Sequence, residues 1–95
     1  MMAELYRTKL DYHAVEVNQV DHNNSVALAA WCGGVPVVEH DALQHNVVFA
    51  AINVPTPNGM MRAQEGDYIV RFTSGSFLCV KENEFDLLFE AVVDG

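Results

Sequence analysis

Positive charge is scarce in this chain. Only Arg7, Lys9, Arg62, Arg71 and Lys81 are basic among 95 residues, against 13 Asp and Glu, and the formal net charge is −8. Binding along a phosphate backbone needs clustered cations, so direct nucleic-acid binding is not expected. Cysteine is also sparse: Cys32 and Cys79 stand alone, with no Cys-x-x-Cys pair, the pattern of two reduced, buried thiols in an intracellular protein. Long apolar runs are missing. The longest, Val26 to Cys32, falls far short of the roughly 20 residues that span a bilayer. No basic start followed by an apolar core and a small-residue cleavage site is present. A soluble protein without a membrane partner is expected.

What is there is packing material. Apolar residues make up 51% of the chain, and the aromatics are spread over both halves, which is too much for a disordered tail. Ninety-five residues support one small core, so the expectation is a single domain over residues 1–95, of marginal stability unless a partner subunit shares the burial.

Read in order, Tyr6 to Val17 ends in an alternation, with His13, Val15 and Val17 on one face and Ala14 and Glu16 on the other, which predicts a half-buried strand. Asp21-His22-Asn23-Asn24 is a polar turn, and Asn24 or Ser25 is suited to cap a helix over Val26 to Cys32 that ends at Gly33-Gly34. That helix is apolar on nearly every face, so it is expected on a sheet or at an interface with Trp31 as its anchor. In Val35 to Asn46, Pro36 excludes a central strand position, and Glu39, His40, Asp41, Gln44 and His45 read as solvated, around one helical turn capped by Asp41. Val47 to Val54 reads as a central strand, reversing at Asn58-Gly59 into Met60 to Gln64. Gly66 is expected at positive φ in a second tight connection. Tyr68 to Phe72 and Ser76 to Val80 then complete a four-strand meander around Thr73-Ser74-Gly75. Asn83 is placed to cap a short helix through Leu88, and Phe89 to Val93 to return as a last strand. The fold class is therefore α+β: a mainly antiparallel sheet of about five strands, one helix after the first strand, and a short C-terminal helix. Val15, Val17, Leu28, Trp31, Val48, Ile52, Tyr68, Val70, Phe77, Phe85 and Phe89 are expected to form most of one core.

From Val54 to Glu90 the chain places Pro55, Thr56, Gly59, Met61, Ala63, Gly66, Asp67, Tyr68, Ile69, Arg71, Gly75, Phe77, Lys81, Phe85, Phe89 and Glu90 in one ungapped order. This resembles a widespread family of small phage and prophage proteins. Their shared core reads roughly Pro-Thr-x-x-Gly-x-Met-x-Ala-x-x-Gly-Asp-(Trp/Tyr)-Ile-(Ile/Val)-Arg, then Gly-x-Phe, a Lys and Phe-x-x-x-(Tyr/Phe)-Glu. Tyr6, Arg7 and Lys9 match the family's opening, and Asp21 to Asn53 is the poorly matched middle. Where the family commonly has Tyr-Pro-Cys-Lys-Pro-Asp, this chain has Leu78-Cys79-Val80-Lys81-Glu82-Asn83, lacking an aromatic and two prolines. The resemblance implies a phage protein in the host cytoplasm, and a shape more than a chemistry. Asp67 is expected to accept hydrogen bonds from turn amides.

Candidate chemistry is thin. His13, His22, His40 and His45 with Glu39 and Asp41 are of ligand type, but their spacing fits no metal motif, and the five-residue step from His40 to His45 does not align on a helix face. Neither cysteine has a histidine nearby in sequence, and no Gly-x-Ser-x-Gly turn or phosphate-cradling loop exists. No enzyme activity, metal or cofactor is expected. The acidic run Glu82, Glu84, Asp86, Glu90 and Asp94 reads as a solvated helix face or as a patch that steers toward a basic host protein or mimics nucleic acid, the mimic being disfavoured by the dispersed Glu4, Asp11, Asp21, Glu39 and Glu65. The favoured function is a non-catalytic phage accessory protein that binds a host or phage macromolecule and forms a homo-oligomer, a dimer first, through the apolar helix with Trp31, an exposed sheet face, or both. The alternatives are an oligomeric binder of a metabolite or nucleotide, with Arg62 and Arg71 holding the anion, and an enzyme or metal protein built on the His, Asp and Glu residues.

Overall fold

The computed structural model describes residues 3–10, 13–21, 23–40 and 47–92, the side chains of 39, 40 and 47–50 excepted. The order is β1 (Glu4–Thr8), β2 (Ala14–Gln19), α1 (Ser25–Cys32), β3 (Val35–His40), β4 (Val47–Thr56), β5 (Gly59–Gln64), β6 (Tyr68–Arg71), β7 (Phe77–Val80), α2 (Glu82–Leu88) and β8 (Phe89–Ala91). Two antiparallel sheets result, a five-stranded one in the order β7-β6-β2-β1-β8 and a three-stranded one in the order β3-β4-β5. The α+β class expected from the sequence holds.

Several details differ. Tyr6 to Val17 is a hairpin rather than one strand, because Thr8 and His13 close a turn through Thr8 N to His13 O and His13 N to Thr8 Oγ1, both 3.0 Å. The helix therefore follows the second strand. Val35–His40 is a strand, not a solvated segment; it lies at a sheet edge, where the missing N–H of Pro36 is tolerated. The meander breaks between β5 and β6. Val20 intervenes, donating to Asp67 O and accepting from Gly66 N at 2.8 Å each, which extends the β2–β6 ladder and sends β5 to the other sheet. Neither expected cap is made by a side chain. Asn24 occupies the N-cap of α1 but directs its amide to Asp21 N and Gln19 O, and Lys81 replaces Asn83 at the start of α2.

Strand alternation then divides the core into two clusters where one was expected. On one face of the large sheet Val15, Val17, Val70, Val80, Phe85 and Phe89 pack with Tyr6, Tyr68, Phe72 and Leu78. On the other, Val20 and Ile69 meet Leu28, Ala29 and Cys32 of α1 and Ile52, Val54 and Ala63 of the small sheet, with Trp31, Phe77 and Cys79 alongside. Trp31, Tyr68 and Phe77 are half-buried rather than fully enclosed. The side chain of Val48 lies outside the described residues, as do His22, Asp41, Gln44, His45, Val93 and Asp94.

Phe85 is the largest fully buried side chain of its cluster. Its ring stacks on Tyr68 at 3.8 Å, meets Tyr6 edge-on at 5.0 Å and lies 5.2 Å from Phe89. Phe85→Ala is expected to lower stability by about 3–5 kcal/mol, read from the denaturation midpoint at unchanged slope. A variant that melts with the parent contradicts this packing.

Candidate functional site

The connection Glu65-Gly66-Asp67 brings together the parts of the molecule that carry polar side chains. Gly66 sits at φ 94°, and a Cβ there would also overlap the carboxylate of Glu82. The expected positive φ is observed, and the close approach of Glu82 adds a second reason for glycine. Asp67 is buried at 7% exposure. Its Oδ2 accepts from Gln64 N at 3.0 Å and Lys81 Nζ at 3.2 Å, and its Oδ1 accepts from Glu82 N at 3.4 Å. One carboxylate thus closes the turn before β6 and receives the first amide of α2. This is the turn-amide role expected of Asp67, extended to a helix start 15 residues away.

With α2 held in this way, a cleft of about 280 Å³ opens on the same face of the large sheet, lined by Glu4, Tyr6, Val17, Asn18, Gln19 and Tyr68. The register pairs Glu4 with Val17, Tyr6 with Val15 and Gln19 with Tyr68, so Glu4, Tyr6, Val17, Gln19 and Tyr68 project to one side. Val17 forms the floor and the two tyrosines the walls. Tyr6 donates its hydroxyl to Glu4 Oε2 at 3.3 Å, while Gln19 Nε2 donates to Gly66 O at 3.0 Å. Both phenols are pushed above their ordinary value. Burial is the first cause for each, followed by Glu4 and Asp86 for Tyr6 and by Asp86, Glu82 and Glu4 for Tyr68. The cleft therefore lies in a negative field. Asn18 turns to the opposite face by alternation. Its buried Nδ2 has no hydrogen-bond partner among the described residues.

The residues singled out from the sequence fall in separate places. Glu82 lies against Gly66, and Glu84 and Asp86 are exposed on α2. Glu90 is on β8 and accepts from Arg7 Nε at 2.8 Å, on the face of the large sheet opposite the cleft. Arg71 pairs with Glu16 at 3.7 Å across β6 and β2, whereas Arg62 is exposed on β5 of the other sheet. The two arginines line neither this cleft nor a second one of about 310 Å³ formed by Lys9, Leu10, Leu87 and Leu88. Trp31 rests edge-on against Phe77 at 5.2 Å. His13 is exposed, and the side chain of His40 lies outside the described residues, as do Asp41 and His45. Among the described residues no three His, Cys, Asp or Glu converge to hold a metal, and no helix is long and apolar enough to cross a membrane. Glu4 and Gln19 went unnoticed in the sequence, because only the strand register brings positions 4, 19 and 68 together.

Charge is partitioned between the two halves. Between residues 22 and 61 only Glu39 and Asp41 are charged, so α1 and the small sheet carry only Glu39 and, on β5, Arg62, while the other four cations and 11 acids lie elsewhere. On the neutral side Val26 is 76% exposed, Val35 58% and Val38 51%. Comparison of the chain with protein-family models, curated proteins and solved structures finds no match.

Two outcomes follow from this geometry. Asp67→Ala removes the acceptor of the Gln64 and Glu82 amides, and a loss of about 0.5–1.5 kcal/mol per hydrogen bond is expected in chemical denaturation; an unchanged midpoint contradicts the joint. The Cys79 thiol is pushed up to about 11, by burial first and then by the neighbouring Cys32 and Asp67. The unfolded chain releases this proton near the ordinary value of 9.0, so between those values it binds fewer protons than the folded chain. Stability is full below pH 9 and falls as pH rises toward 11. The melting temperature is expected to trace that fall, with Cys79→Ala flattening its first part, before Tyr6 and Tyr68 titrate; a slope that the variant leaves unchanged contradicts the assignment.

Proposed function

We propose that this chain is a non-catalytic phage accessory protein that forms a homodimer through α1 and β3 and engages a basic host or phage protein through its acidic half. The observation that carries this reading is the partition of charge. Two copies bearing −8 each repel wherever their acids face one another. The α1–β3 surface, where Val26, Ala27, Ala30, Val35 and Val38 are exposed and residues 25–38 carry no charge, is the place where two acidic chains meet without that repulsion. A helix apolar on all sides is normally covered on all sides, and here one side is open. A twofold contact covers it with the same surface from a second copy, leaving Glu84 and Asp86 outward to steer a basic partner. The metabolite-binding reading gains no such support, since Arg71 is paired with Glu16 and Arg62 stands on another sheet.

Sedimentation at micromolar concentration tests the dimer. A dimer is expected for the parent and a monomer for Ala30→Glu, which puts one charge in the middle of the open helix face; surface changes of this kind normally shift stability by no more than about 0.5 kcal/mol. A monomeric parent would refute the reading. The partner is tested by capture from phage-infected cells: a basic protein retained by the parent and lost by Glu84→Lys with Asp86→Lys is the expected result.

A further inference from the structure

We propose that the Tyr6–Tyr68 cleft is a binding site for one guanidinium or ammonium head group, presented by an arginine or lysine side chain of a polypeptide. The cleft is separate from the α1–β3 face. The assignment depends on the reading in the preceding section only for the source of the cation.

Three features of the cleft select this chemistry. The first is its walls. Two phenol rings from β1 and β6 stand on either side of a Val17 floor, and Phe85, packed on both rings, fixes them in place. Aromatic rings held rigidly by a third can offer a cation the ring face that the third does not cover, without a further loss of side-chain freedom. The second is charge. Glu4 stands at the cleft with its carboxylate bonded only to the Tyr6 hydroxyl, and among the described residues no cation is paired with it. The cations nearby are engaged elsewhere: Lys9 donates to the main-chain oxygen of Asp86, and Lys81 to Asp67. Burial, with Glu4 and Asp86 and, for Tyr68, Glu82, raises the pKa of both phenols and keeps them protonated, so an anionic ligand meets a negative field with no cation in the lining. A cation meets the Glu4 carboxylate and two ring systems, in the field of the acids of α2.

The third feature is size. At about 280 Å³, the cleft lies below the roughly 300–1,000 Å³ typical of pockets that enclose drug-sized ligands. It is large enough for the head of one side chain. The Gln19 amide, already donating to Gly66 O, keeps its oxygen for a further N–H donor. A planar guanidinium, with five donors and no acceptor, matches a set of groups made of a carboxylate, phenol oxygens and an amide oxygen.

The test is an NMR titration of the full chain at low salt with two probes, acetyl-tetra-arginine amide and free N-acetyl-arginine amide, with acetyl-tetraglutamine amide as the uncharged control. The expected result is that arginine-peptide shifts centre on Glu4, Tyr6, Gln19 and Tyr68. Glu4→Gln should weaken binding about fivefold or more, as for loss of a charge-assisted bond, while Tyr6→Phe, which keeps the ring, should weaken it less. Equal affinity for the free amide would uphold the site and overturn the polypeptide as its source. Shifts confined to Glu84 and Asp86, with affinity indifferent to Glu4→Gln, would overturn the cleft and leave the acidic-half reading intact. Absence of shifts with either arginine probe at millimolar concentration would overturn the cleft, whatever sedimentation shows for the dimer.

Discussion

The stacking of Phe85 between Tyr6, Tyr68 and Phe89 is the contact on which the rest of the acidic half depends. α2 is only seven residues long, too short to persist in water without tertiary support. Phe85 supplies that support by inserting into the aromatic face of the large sheet, and Asp67 fixes where the helix begins by accepting the amide of Glu82. Together they set the positions of Tyr6 and Tyr68, and so the existence of the cleft. They also orient the acids of α2: Glu82 turns in over Gly66, while Glu84 and Asp86 are left in solvent. Burying one aromatic side chain thus decides which carboxylates form a surface.

The other half is organised by a different constraint. α1 is short and, after Ser25, apolar, and one flank of it packs Leu28, Ala29 and Cys32 onto the small sheet. Val26, Ala27 and Ala30 on the other flank are left exposed. The two halves therefore have opposite surfaces, one rich in acids and one with almost no charge. The proposed self-association on the neutral side and the proposed recognition of a basic partner on the acidic side both rest on this division.

Local features were legible in the sequence wherever one or two residues dictate them. Val15 and Val17 announced the buried face of β2 by alternation, Asn58-Gly59 marked the β4–β5 reversal, and Gly66 was recognisable as a positive-φ residue beside an aspartate with turn amides to satisfy. The β1–β2 turn was not legible, because Lys9 and the residues after it contain no glycine or proline and the closure depends on Thr8 and His13. Nor was the break between β5 and β6, since a meander and a switch of sheets look alike until Val20 is known to pair with Gly66 and Asp67. The acidic run was visible as composition, but its division among Gly66, Arg7 and solvent was not. The cleft escaped notice for the same reason. Glu4, Gln19 and Tyr68 become neighbours through register, and register is a property of three strands at once.

The central claim is that the neutral side meets a second copy while the acidic side stays open. Amide hydrogen exchange measured across a hundredfold range of protein concentration tests it directly. Protection over residues 25–38 should rise with concentration and that of Glu82 to Leu88 should not. Protection that rises over α2 while residues 25–38 remain unchanged would contradict the account.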